Sequence, residues 1–242
     1  MAISSIVNRG MVNEGIADAT ALATARTVGV VESAMTLNIP SDFATLQEAM
    51  DWIEARVLLA EVTIQFANGT YNATSSHIFK HNNYAMVNII GDVDTPSNVT
   101  INSTTNGLYL QGCQLRSVKG IKISCTSGQA IFLNRGSKIY ELNDVDLASS
   151  GGYGLMIHDW CAVGGRDIYC HNSASGGVLV FMQSALNCTN LTSNNNTGWG
   201  ITMSHGSNAR LLGTTTMTGN SSGTYNIGLN TLSGDGSIVQ NG

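Results

Sequence analysis

The sequence predicts an all-β chain wound as a parallel β-helix of about eight coils, preceded by a capping helix and a helical or extended leader. Two repeat markers carry this prediction. NGLYLQG, QAIFLNR, YGLMIHD, GGVLVFMQS and WGITMSH read as one short strand written repeatedly. The residue before each strand is Gly107, Ala130, Gly154, Gly177 or Gly200, with Asn226 a poorer match, at spacings of 23, 24, 23, 23 and 26. A second apolar position, Ile121, Val145, Ile168 and Leu191, recurs in phase at 24, 23 and 23. Short strands at such a period mark a solenoid. Gly, Asn and Ser break each unit and leave no room for a helix, so the strands must stack coil on coil at ~4.8 Å. No single coil can bury its own apolar face, and repetition makes the core.

Residues 1–33 form the leader. Its middle, EGIADATALATARTVG, is rich in Ala but has little apolar periodicity, so it needs other subunits or another protein to be ordered. Residues 34–66 hold the capping helix and the first strand. Thr45-Leu46-Gln47-Glu48 has the form of a capping box. Leu46, Met50, Ile53 and Val57, with Ala49, recur at helical spacing and predict a helix over 45–58. VTIQFANGTY alternates as a strand and stops at Asn68-Gly69.

Residues 67–242 are the β-helix. Stacking predicts one interior file of Leu108, Ile131, Leu155, Val178 and Ile201, and a second of Leu110, Leu133, Ile157, Val180 and Met203. Cys113, Ser137, Cys161, Ser184 and Ser207 make a third file of small residues. Between the first two files the side chains must point outward, and there stand Tyr109, Phe132, Met156 and Leu179, followed by Thr202. An apolar ridge on the wet face of a sheet predicts a subunit interface, and around parallel strands a homotrimer.

Charged residues are 11% of the chain, against roughly 25% in ordinary domains, so few Lys and Glu remain to block association of strand edges. A net charge of −5 gives no support for nucleic-acid binding. No stretch approaches the roughly 18 apolar residues of a membrane span, and the N-terminus has no apolar core of an export signal. Membrane insertion is not expected. Cys113, Cys125, Cys161, Cys170 and Cys188 are an odd set without a CxxC pair, which predicts small reduced core residues rather than disulfides or a metal site. No metal and no cofactor is expected.

DFATLQEAMDWI, followed by NGTY and by NIIGD at 88–92, resembles the opening of pectin-lyase-like right-handed β-helix proteins, where a helix plugs the first coil. The resemblance covers about residues 41–242 and implies a right-handed coil. It implies no single activity, because that scaffold hosts lyases, hydrolases, esterases and adhesins. TALATARTVG at 20–29 resembles a short segment of bacteriophage tail-fibre proteins. Together these resemblances imply a tail fibre or tailspike subunit of the virion, made in the host cytoplasm without a signal peptide. Its leader would join other virion tail proteins, and its β-helix would bind a host surface polysaccharide.

The catalytic motifs of the related enzymes are incomplete. Gln129-Ala130 matches a pectin-methylesterase segment whose aspartate motifs are missing. MIHDWC carries His158-Asp159 in the reverse order of a pectate-lyase segment. Arg-x-Pro-x-x-Arg cannot occur, since the only prolines are Pro40 and Pro96, and SHG at 204–206 only echoes the polygalacturonase Gly-His-Gly.

Asp144 and Asp167 nevertheless stand one period apart, directly before Val145 and Ile168, with Asn190 continuing their file. Two stacked carboxylates can share a proton, hold a cation or hydrolyse a glycoside; a ladder bonding turn amides is the plainer reading. Arg135 and Asp159, with His205 further along, predict a surface ion pair worth ~0–1 kcal/mol. His158 and His171 read as solvated. Trp160, Tyr169 and Trp199 are the candidates for stacking on sugar rings. Three functions follow from these features: a structural and glycan-binding fibre subunit, a polysaccharide depolymerase using Asp144 and Asp167, or a virion decoration protein.

Overall fold

Successive strands pair in parallel, one coil on the next. Ile131 pairs with Leu108 and Leu155, Leu155 with Val178, and Val178 with Ile201. All five are fully buried, so the first predicted file is an interior file. The second is equally buried. The computed structural model describes residues 29–148, 151–227 and 238–241. Its strands form a parallel β-solenoid of about eight turns.

The smaller sheet has seven strands, from His77–Phe79 through Leu108–Gln111, Ile131–Asn134, Tyr153–His158, Gly176–Phe181 and Trp199–Met203 to Gly223–Ile227. The larger sheet has eleven, and its middle is built of long strands: Gln114–Cys125, Lys138–Ala148, Ala162–His171, Ala185–Asn194 and Asn208–Thr216. Met35–Ile39 and Val62–Phe66 are already rungs of that sheet.

Left-handed residues turn the corners. Passing from the smaller sheet to the larger, four successive coils use a pair, Arg135-Gly136, Asp159-Trp160, Met182-Gln183 and His205-Gly206, and the coil before them uses Gly112 alone, with φ from 51 to 72°. The long strands then bend at Gly120, Asp144, Asp167, Asn190 and Gly213, with φ from 52 to 65°. Gly, Asn and Asp enter this region at least cost, which explains the bend file. The repeat marker precedes its strand at Gly107 and Ala130 but is the second strand residue at Gly154, Gly177 and Gly200, and it has a steric cause. A Cβ on Gly177 would overlap the Ser193 hydroxyl, and one on Gly154 would press on Cys170 at 3.1 Å. These residues fill the inside of a corner.

Thr45 caps the helix as expected: its hydroxyl accepts from the Glu48 N–H at 3.2 Å, and the Glu48 carboxylate accepts from the Ala44 N–H at 2.9 Å. Leu46, Ala49, Met50 and Ile53 are its buried face. The helix ends earlier than predicted. It spans Leu46–Glu54, and Arg56–Leu58 is a strand paired with Gly29–Val31. Arg56 folds back, its guanidinium 3.8 Å over the Trp52 ring and bonded to the Trp52 carbonyl, so the chain leaves the helical path. Val57, expected on the buried face, is exposed. Of the leader, residues 1–28 lie outside the described residues. No helix among the described residues is long and apolar enough to cross a membrane. All five cysteines are buried free thiols, as expected. Burial pushes Cys125, Cys161 and Cys188 up to about 12.

Candidate functional site

Asp144 and Asp167 lie where the period places them, on adjacent coils at the bend. Their partners are those of a corner ladder. Asn190 donates its amide N–H to Asp167 Oδ1 at 2.9 Å and accepts from the Thr214 N–H at 3.0 Å. Arg166 Nη2 is 3.9 Å from Asp144 Oδ2. Partial burial raises the Asp144 carboxyl above its ordinary value, Arg166 opposes this, and the charge of Asp167 adds to it. Among the described residues no group of three or more His, Cys, Asp or Glu is placed to hold a metal ion.

The three aromatic candidates are not brought together. Trp160 stands at the corner between the sheets, 67% exposed. Tyr169 lies exposed on the larger sheet, in register with Asp146. Trp199 lies on the smaller sheet with its ring laid against the next coil, where a Cβ on Gly223 would be 2.6 Å away. Trp199 is therefore largely a packing residue. The expected ion pair between Arg135 and Asp159 is not formed. Both sit at the left-handed corner, where solvated charges gain little from pairing.

Two constellations escaped the sequence reading. Neither His158 nor His171 is simply solvated. His158 stacks on Phe181 with ring centroids 5.0 Å apart, and Phe181 meets the His205 ring at 4.4 Å. These three rings form an aromatic rim on three successive coils, and the exposed Trp160 stands at the corner two residues beyond His158. His158 and Phe181 are one period apart, so the repeat carried the signal. The second is on the larger sheet, where His171 Nε2 lies 2.9 Å from Asp146 Oδ1 and Lys122 Nζ lies 3.5 Å from Asp146 Oδ2. Burial alone would raise the Asp146 carboxyl; the bond to His171 and the charge of Lys122 outweigh it and hold it below its ordinary value.

The predicted ridge is one outward file. Tyr109 pairs with Phe132, Phe132 with Met156 and Met156 with Leu179. The Tyr109 and Phe132 rings stack flat, 4.8 Å apart and 4° from parallel, and Asn134 donates to the Tyr109 hydroxyl at 2.8 Å. All four side chains are half-buried by one another and their neighbours, and Ile78, exposed, begins the file.

These features define the chain as a parallel β-solenoid with a hydrogen-bonded corner ladder and an aromatic outer face. No protein-family model matches the chain, and no curated protein and no solved structure matches it either.

Proposed function

We propose that this solenoid is a structural and glycan-binding subunit of a phage tail fibre or tailspike. The observation that carries the reading is the aromatic rim of His158, Phe181 and His205, with the exposed Trp160 at the corner two residues beyond His158. Flat rings on the outside of a rigid sheet suit the apolar faces of sugars, and the low charge of the chain leaves the surface polar without a strong field. The ridge from Tyr109 to Leu179 is the contact between copies in a homotrimer, and the leader joins the fibre to other proteins of the virion tail. An array of bacterial surface polysaccharides tests the glycan-binding part. Binding to a subset of them, lost in Trp160→Ala and Phe181→Ala, supports the reading; no binding to any of them overturns it.

A further inference from the structure

The outer face of the larger sheet carries a groove that begins two residues beyond the corner bearing Trp160. It runs across the coils in two adjoining parts, of about 460 and 360 Å³, which share Tyr140, Gly164 and Asn187. Its origin is local. Ile139 pairs with Val163 but Leu142 pairs with Gly165, so strand Lys138–Ala148 holds an extra residue here. The bulge leaves Tyr140 and Glu141 both exposed opposite Gly164. On the following rungs Ala162, Gly164 and Ala185 have too little side chain to fill the space beside the Tyr140 ring. Asn208 and Arg210 close the far side. The Tyr140 hydroxyl is held by Gln114, which fixes the ring.

The charges around this hollow run against those of the chain. The protein has 11 Lys and Arg against 16 Asp and Glu, yet Lys138, Arg166 and Arg210 border the groove with one carboxylate, Glu141, which Lys119 engages. Lys138 Nζ sits 4.3 Å from the Tyr140 ring centre. Among the described residues, neither Lys138 nor Arg210 has a carboxylate at ion-pair distance.

We propose that this groove binds an acidic oligosaccharide, one whose sugars carry carboxylates. The inference rests on the glycan-binding reading above and names the class of sugar. Tyr140 offers a ring face to the sugar, the Asn187 and Asn208 amides suit hydroxyls, and the forked guanidinium of Arg210 suits a carboxylate. From strand Lys138–Ala148 to strand Asn208–Thr216 is three inter-strand steps, about 14 Å, longer than any simple inorganic anion. The net charge of −5 disfavours a dense polyanion such as nucleic acid.

Calorimetric titration of the whole protein tests this, with an oligoglucuronate and a sialylated oligosaccharide as acidic probes and a neutral glucan of equal length as control. At least one acidic probe is expected to bind about tenfold tighter than the glucan, and Arg210→Gln to remove that preference. Tyr140→Ala is expected to weaken both acidic and neutral binding. Ala185→Gln, which fills the floor without changing charge, is expected to block the groove. Equal affinity for the neutral glucan, full competition by millimolar sulfate, or acidic binding unchanged in all three variants overturns the groove. So does failure of both acidic probes. If the polysaccharide array still shows binding in those cases, the glycan-binding reading stands without this site.

Discussion

The backbone N–H of Cys161 donates to the hydroxyl of Ser184 on the next coil, at 3.1 Å. The same bond recurs along the small-residue file: Cys113 N–H to Ser137 Oγ, Ser137 N–H to Cys161 Sγ, and Ser184 N–H to Ser207 Oγ. All five residues are buried. Each corner N–H, which the sheet ladder leaves over, is thus satisfied by a short side chain from the coil that follows. Ser184→Ala strands a buried donor, so it should cost about 1–3 kcal/mol and lower the thermal midpoint. Ser184→Cys should restore much of that, since sulfur already accepts at Cys161. Equal midpoints for Ser184→Ala and the parent protein would show that the ladder contributes nothing.

His77 heads the first interior file, paired with Leu108, and among the described residues its Nδ1 has no partner. Burial pushes its pKa down to about 4 from the ordinary 6.5. The folded state therefore keeps this ring neutral where the unfolded chain binds a proton, and stability is lost as pH falls from about 6.5 toward 4. The loss approaches roughly 3 kcal/mol at the lower end. His77→Leu should flatten that part of the stability curve, read from denaturant midpoints at a series of pH values. An unchanged acid slope in the variant would assign the effect to other groups.

Gly177 is tightly enclosed, with Gly200 O 2.7 Å from where its Cβ would lie and the Ser193 hydroxyl overlapping it. Gly177→Ala should destabilise by about 1–3 kcal/mol through overpacking, whereas Ala130, at the same place in its own coil, shows that the earlier corner is roomier. A midpoint within error of the parent would mean the corner widens freely.

That contrast shows how far the sequence could be read. The interior files were legible because burial repeats with the coil, and Gly107 to Gly200 marked the corner in phase. The end of the helix was not: Val57 keeps the helical period, but pairing with Gly29–Val31 takes it into a strand. The bulge at Tyr140 and Glu141 was also hidden, because it shows only as a slip from 24 residues between Ser137 and Cys161 to 23 between Val145 and Ile168, which does not say where in the strand the extra residue sits. Asp146 and His171 sit 25 apart, just off the 23-residue spacing, and this kept their pairing out of view.

Phe132 lies flat on Tyr109 in the middle of the outward ridge. If this file joins three copies, Phe132→Asp and Leu179→Asp bury charge in an apolar contact, and the mass in solution should fall from trimer to monomer. The same variants of a monomeric protein would change little, since the positions are only half-buried. Light scattering decides between them, and a monomeric parent retires the interface.

Asp144→Asn and Asp167→Asn separate the binding reading from the depolymerase reading. Both positions have φ near 52°, which Asn tolerates as well as Asp, so the corner is kept. The Asp144 carboxyl is raised by partial burial and by Asp167, with Arg166 opposing. A raised carboxyl is a cost borne by the folded state at neutral pH and absent once both states are protonated. Asp144→Asn should therefore be equal to the parent or more stable by up to about 0.5 kcal/mol at pH 7, with the difference vanishing in acid. In a glycan-binding subunit neither substitution changes what is bound, and no polysaccharide is shortened by the parent protein. In a depolymerase the raised Asp144 is the general acid, and its loss should cut turnover by about 10²–10⁴-fold while the fold stays intact. Chromatography of a bound polysaccharide after incubation reads this directly: chain shortening by the parent that Asp144→Asn abolishes would replace the binding function with a catalytic one.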